Sequence, residues 1–325
     1  SNEVIRTRAS ILEENMTRWG YMNTWVTSND ARDFGKLYGY FDVVVVDAPC
    51  SGSGLFRKDA HALDEWSEAN VQLCSERQQR ILADIWPAVK EDGLLIYATC
   101  SYSPQEDEAI LKWLSEKFAI DAMRIPLQRE WGITEIESSG LFGYRFFPDK
   151  VKGEGFFLAA IQKKEGTPAL HYPKFKSVAD KKAYQQSAYL LGTDNWICLQ
   201  TNKEGYNAVA PAHEADWHLL SKHVYLRKTG LALGEPSAKD WLPSHDVALS
   251  VDRNSSLPVL ELNKEQALHF LKKDDISVET AVKGWHIITY NGLGLGWVKA
   301  LGNRFNNYLP KHWRIRMDIP DEDKA

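Results

Sequence analysis

Residues 41 to 54 read FDVVVVDAPCSGSG, and this stretch narrows the fold more than any other part of the chain. Four consecutive valines have no helical period, and their β-branched side chains favour a strand. An apolar run without alternation fits a strand buried on both faces, the situation inside a parallel sheet. Asp47 to Gly54 then follow the carboxyl end of that strand, where open α/β sheets bind their ligands. A second run, EDGLLIYATC, predicts a buried strand over 94–98 and sets Cys100 just past its end. The intervening residues 64–91 carry a helical pattern that opens at Asp64, a good N-cap. A helical crossover makes the two strands parallel neighbours. Cys50 and Cys100 are thereby expected to face one pocket, although they are fifty positions apart.

The elements around these strands continue the α/β alternation. Ile5, Ala9, Leu12, Met16 and Trp19 recur at helical spacing, with Gly20 placed to end the helix. NTWVTSNDARDF reads as a short strand entering a polar loop at Ser28 to Asp30. In SYSPQEDEAILKWLSEKF, Ser103, Pro104 and Glu106 match an N-cap, a first-turn proline and a capping-box glutamate, which predicts a helix starting there. Two β-prone runs between Phe142 and Gln162 predict a closing antiparallel pair. Gly, Pro and Lys then mix over 163–176, a linker composition, and the alternation stops. Short mixed elements fill 177 to about 250. Beyond them come the helix KEQALHFLKK and GWHIITYNGLGLGWVKAL, a hairpin by its Asn-Gly turn.

Composition removes several function classes. The apolar runs fall far short of the ~18 residues of a membrane span, and no charged-then-apolar leader opens the chain, so a cytoplasmic location is the default expectation. The four cysteines show no C-x-x-C pair and no zinc spacing, so neither a disulfide framework nor a metal is expected. His213 and His218 in HEADWH are five apart, which on a helix turns them about 140° from one another and away from a shared zinc face. GLGLG at 292–296 follows a turn and precedes no crossover helix, unlike a dinucleotide loop. The net charge of −5 gives no global attraction to nucleic acid, so such binding needs a local patch. One exists over 299–317, where Lys299, Arg304, Lys311, Arg314 and Arg316 interleave with Phe305, Tyr308 and Trp313 and no acid. That pattern suits RNA; its plain alternative is a solvated charged face over core aromatics.

Two thiols in one α/β pocket leave three readings open: covalent catalysis, a redox pair, or packing of small residues. DAPCSGSGLFRKD and ATCSYSPQEDE, with RQQRIL between them and YRFFP and GEGFFLAAIQKK after them, resemble the Nol/Nop/Sun family of AdoMet-dependent RNA 5-cytosine methyltransferases. GLFRKD and the C-terminal part are similar to its bacterial RsmF-like branch, which methylates ribosomal RNA, and GLGLGWVKALGNRFNNYLPKHWRIR resembles that branch's PUA-like RNA-binding domain. The resemblance implies a Rossmann-like class I AdoMet methyltransferase domain over 1–164, a linker and small mixed domain over 165–255, and a PUA-like β-rich domain over 256–325. It implies AdoMet as cofactor and RNA, from 16S ribosomal RNA or the small subunit, as partner. Cys100 is then the nucleophile, Cys50 assists product release, and Asp47 hydrogen-bonds the cytosine ring edge, where capping of the turn is its plain alternative. Glu3 would bond the AdoMet ribose and Asp30 lie near the adenine, both carboxylates suiting hydroxyl and amine donors, with Asp47 also at the cofactor. The family's first two strands and glycine-rich loop have no counterpart here, so the valine strand would keep a raw edge and the chain is expected to be part of a longer protein.

The chemistry explains the motif. Cytosine C5 is a poor nucleophile until a thiolate adds to C6, and the later loss of the C5 proton and of the enzyme needs a base. A cytosine-5 DNA methyltransferase would instead use the Pro-Cys thiol, Cys50, and would not need Cys100. A non-catalytic RNA-binding protein on the same fold would have lost one cysteine.

Overall fold

The amino-terminal helix forms over Arg6–Trp19 (α1) and stops at Gly20, whose φ of 78° is a left-handed conformation that glycine adopts without a Cβ penalty. Its apolar face is narrower than the spacing implies, since Ala9 is buried while Ile5 and Trp19 are exposed. This computed structural model describes residues 1–325 apart from 60, 169, 202–204, 239, 277–281, 303 and 320–325. Two compact units emerge: α1 and the short strand Trp25–Thr27 (β1) group with the chain from Tyr172 onward, and Asp30–His171 form the other.

The unit of residues 30–171 begins with Ala31–Phe34 (α2), capped by the Asp30 side chain, and the valine strand Phe41–Asp47 (β2). The helical pattern after it divides into His61–Glu65 (α3) and Glu68–Ile85 (α4). Ser67, not Asp64, caps α4 by accepting from the Asn70 amide. Pro87 has no N–H for the ladder, so the helix ends well before Glu91 in a 3-10 turn that feeds Val89–Thr99 (β3). Next come Glu108–Lys117 (α5), Ile120–Ala122 (β4), Thr134–Ser138 (β5), Leu141–Phe146 (β6) and Phe156–Lys163 (β7). The strand order is β2-β3-β7-β6-β5, with β4 also on β7. β2 and β3 run parallel, in register from Val43–Leu94 to Asp47–Ala98, and β6 and β7 form the expected antiparallel pair.

Leu95 and Tyr97 of β3 and Phe157, Ala159 and Ile161 of β7 are fully buried. Each large side chain among them contributes about 1.5–3 kcal/mol of burial. Lys163 is buried too, and its Nζ donates to the Trp86 and Val89 carbonyls at 3.0 Å each, which satisfies the corner where α4 turns into β3. One expectation fails here. The valine run reads as covered on both faces, yet Val43 is 50% and Val45 64% exposed; the place of β2 at an edge of the sheet agrees with the raw edge expected of this strand. An apolar run encodes the strand, but what covers it is decided by other parts of a protein.

The other unit adds Lys181–Ser187 (α6), Ile197–Gln200 (β8), Tyr206–Val209 (β9), Glu214–His223 (α7), Leu226–Thr229 (β10), Leu231–Pro236 (β11), Trp241–Pro243 (β12) and His245–Leu249 (α8). It continues with Val259–Glu261 (β13), Lys264–Lys272 (α9), Gly284–Tyr290 (β14), Leu293–Ala300 (β15) and Phe305–Asn307 (β16). Two four-stranded sheets, β12-β11-β9-β8 and β13-β14-β15-β16, accompany the β1–β10 pair. Trp196, Leu233, Trp241 and Trp297 centre one apolar core, and Phe270, Ile288, Val298 and Leu309 the other. Asn291 and Gly292 both take positive φ, 50° and 74°, as the two-residue hairpin turn requires. His213 pairs with Asp216 at 2.9 Å and His218 stacks on Phe175. Among the described residues no helix is long and apolar enough to cross a membrane.

Candidate active site

The parallel pairing of β2 and β3 carries both cysteine loops to the same end of the sheet. Ala48 N–H donates to the Ala98 carbonyl, and Gly54 N–H to the Cys100 carbonyl, each at 2.9 Å. Gly155 N–H in turn donates to the Gly54 carbonyl at 2.9 Å, so three backbone segments meet at Gly54. A Cβ there would strike the Gly155 and Cys100 carbonyl oxygens, which is why this position is glycine. Gly52 serves differently, holding φ at 82° in the turn. The outcome is that Cys50 and Cys100 meet, Cα to Cα 6.3 Å, with their sulfurs bonded to each other. Spacing along the chain indicated no disulfide framework; the pair arises from tertiary juxtaposition, which spacing does not register.

Beneath the loops lies Glu106, with no exposed surface. Its carboxylate accepts from the Ser51 amide at 2.9 Å, the Ser51 hydroxyl at 2.5 Å, the Ser101 hydroxyl at 2.7 Å and Gln78 Nε2 at 3.1 Å. Gln78, from α4, also donates to the Pro49 carbonyl at 2.9 Å. The capping box expected of Ser103 and Glu106 therefore does not form, and α5 starts at Glu108. Buried donors on the two loops claim the carboxylate, and leaving them unpaired would cost more than a surface cap returns.

Glu106 is followed by two more acids gathered around the buried Arg145. The Arg145 guanidinium donates to Glu108 through Nε at 2.9 Å and Nη2 at 2.7 Å, and to the Tyr102 carbonyl at 2.9 Å. Nη2 lies 3.1 Å from Asp107, yet both Asp107 oxygens lack a hydrogen-bond donor among the described residues. Burial pushes the Asp107 carboxyl up to about 8, opposed by Arg145 and supported by Glu108 and Glu106. This acidic triplet and its arginine were absent from the sequence-based site. The signal was present as three successive acids after Thr-Cys-Ser and a single arginine in YRFFP, but nothing local pairs them.

Asp47 ends β2 with an exposed side chain at the mouth of the Cys50 loop. Asp30 accepts from Arg80 Nη1 at 3.1 Å, and that bond holds its carboxyl below the usual range. Glu3 lies in the other unit, where it accepts from the Ile5 amide at 2.9 Å and pairs with Arg8 at 3.2 Å. In the basic C-terminal segment Arg304, Lys311, Arg314 and Arg316 are exposed. Lys299 is half-buried, 3.5 Å from Asp240 and over the Trp285 ring. Its aromatics divide their roles: Tyr308 packs on Trp285 and Trp313 on His245, with the Arg18 guanidinium 4.6 Å above the Trp313 ring. Arg18, Arg253, Val251, Leu293, Trp313 and Ile315 also line a cleft of about 900 Å³. Arg18 and Trp313 come from opposite ends of the chain, so no sequence window contains the pair.

Comparison with known proteins divides the chain differently, since the first matched stretch takes in residues from both units. Residues 1–162 match the family model for the 16S rRNA methyltransferase RsmB/F, and residues 257–315 match that for the methyltransferase RsmF PUA domain. The chain is similar to the ribosomal RNA small subunit methyltransferase F of Shewanella oneidensis, 30% identical over 96% of this chain and 68% of the relative. It is equally similar to the enzyme of that name from Psychromonas ingrahamii, 30% identical over 95% of this chain and 67% of the relative. The chain thus spans about two thirds of the length of these relatives. Among solved structures, a methyltransferase homologue from Pyrococcus horikoshii is 27% identical, with a TM-score of 0.41 over 50% of this chain and 52% of the other.

Proposed function

The chain belongs to the 16S rRNA methyltransferase RsmB/F family, and from that premise we propose that it methylates C5 of a cytosine in ribosomal RNA, with Cys100 as nucleophile, Cys50 as the group that promotes release, and AdoMet as methyl donor. One observation carries the reading: two cysteines fifty positions apart meet at the carboxyl ends of parallel strands, Cα to Cα 6.3 Å. A packing role would need no such meeting just past the ends of two parallel strands.

The bonded pair must first be split by an external dithiol reductant, which leaves as a disulfide while Cys50 and Cys100 take up two electrons and two protons, since a thiolate is the attacking species. Cys100 then adds to C6, and the electron pair displaced from the C5–C6 bond makes C5 nucleophilic. Asp47, exposed at the end of β2, hydrogen-bonds the cytosine ring edge and stabilises the proton that the ring takes up as the thiolate adds. After methyl transfer the C5 proton leaves to a base, and the electrons of that bond expel Cys100 and restore the ring. Cys50 stands beside Cys100, where it can promote that step. When bound, AdoMet supplies the methyl group, and the Asp30 and Asp47 carboxylates match its hydroxyl and amine donors in kind. Residues 1–164 would carry this chemistry and 256–325 the RNA contacts, in the cytoplasm where ribosomal RNA is available.

The test is a denaturing gel of the complete, reduced protein with ribosomal RNA and AdoMet. Cys50→Ala should give a shifted protein–RNA band, because addition and methyl transfer proceed while release is slowed. Cys100→Ala and the double variant should give none. A band retained in Cys100→Ala and lost in Cys50→Ala would make Cys50 the nucleophile, as in the DNA cytosine-5 enzymes.

A further inference from the structure

We propose that Glu106 is a positioning residue whose single buried carboxylate holds the Cys50 and Cys100 loops in one geometry and so sets the placement of both thiols; the proposal rests on the two-thiol reading above. Ser51 and Ser101 are the residues directly after the two cysteines, so each hydrogen bond to Glu106 acts one peptide from a reacting thiol's Cα. Gln78 braces the same centre from α4 and holds Pro49 on the other side of Cys50. Four donors fill the roughly four acceptor positions of a carboxylate. Hydrogen bonds to an ionised acceptor are stronger than neutral ones, and in a buried site they are not exchanged for water.

The anchor itself is fixed. The Tyr97 hydroxyl of β3 donates to the Glu106 carbonyl at 2.7 Å, and Glu106 N–H donates to the Ser103 carbonyl at 2.9 Å. A second layer of hydroxyls extends the tie, with Ser53 and Ser101 3.0 Å apart and the Tyr102 amide donating to Ser53 at 3.2 Å. Glu106 has no exposed surface and no path to a nucleotide, so it acts through the loops. The arrangement fits a reaction in which two thiols serve the same ring in succession. A shift of about 1 Å in either loop would cost on the order of 100-fold in rate.

The two arms make the proposal separable from a merely structural role. In the complete protein, Glu106→Gln should lower single-turnover methylation by about 10- to 100-fold while the KM for RNA stays within about twofold. Ser101→Ala, which cuts the arm next to the nucleophile, should slow formation of the covalent RNA band. Ser51→Ala, next to Cys50, should leave formation fast and slow its disappearance. Thermal unfolding of each variant gives the folded fraction for correction, and the two serine variants carry the test if Glu106→Gln does not fold. Wild-type kinetics in all three, or the same step slowed by both serine changes, would overturn the proposal. If Cys50→Ala itself formed no band, the two-thiol reading would fall and this proposal with it; a band there beside wild-type kinetics in the three variants would remove this proposal alone.

Discussion

Replacing Asp107 by Asn should change how the protein's stability depends on pH. Asp107 has no exposed surface, and its carboxyl is pushed from an ordinary 3.8 to about 8, chiefly by burial. A raised pKa means that the folded state keeps a proton which the unfolded state has released. Below about pH 4 both states hold it and the contribution is fully present; between about 4 and about 8 stability falls as pH rises; above about 8 the loss is complete. The slope is at most ~1.4 kcal/mol per pH unit, so the loss between pH 5 and pH 8 approaches ~4 kcal/mol as an upper bound. Asparagine has nearly the same shape and does not titrate. Urea unfolding of both proteins at pH 5, 6, 7 and 8, followed by tryptophan fluorescence, isolates this group because other titrations cancel in the difference. The variant should gain on the wild type steadily across the series. A flat difference, or one that favours the wild type as pH rises, would show that Asp107 is ionised against Arg145 and that its burial is offset by the ion pair.

Two further outcomes follow from the site and from the basic segment. Gly54→Ala places a methyl against the carbonyl oxygens of Gly155 and Cys100, so it should cost about 1–3 kcal/mol of stability and displace the Cys100 loop, seen as a lower Tm together with slower methylation of the folded fraction. Changing the exposed Lys311, Arg314 and Arg316 together to Ala in the complete protein should weaken RNA binding by roughly tenfold or more and flatten its salt dependence, while AdoMet affinity measured by calorimetry stays the same; unchanged RNA affinity would return that stretch to a solvated face.

Several features of this chain are settled by its local order. The valine run, the crossover helix and the second apolar run are enough to fix β2 and β3 as parallel neighbours, and from that the meeting of Cys50 with Cys100 follows, because side chains past the carboxyl ends of adjacent parallel strands share one pocket. The left-handed stop at Gly20 and the turn at Asn291–Gly292 are likewise matters of backbone sterics that a few residues decide by themselves. Other features wait for the tertiary structure. Glu106 satisfies a capping pattern in its own window, yet bonds to Ser51, fifty-five positions away, because folding brings buried donors that need an acceptor. Asp64 loses its cap to Ser67, and Val43 and Val45 are exposed although their run reads as covered. Arg18 meets Trp313 because α1 packs with residues from Tyr172 onward. The difference is one of range: φ/ψ preference and hydrophobic period act over a few residues, whereas the partner of a buried polar or charged group is whichever group the fold delivers within about 3 Å of it.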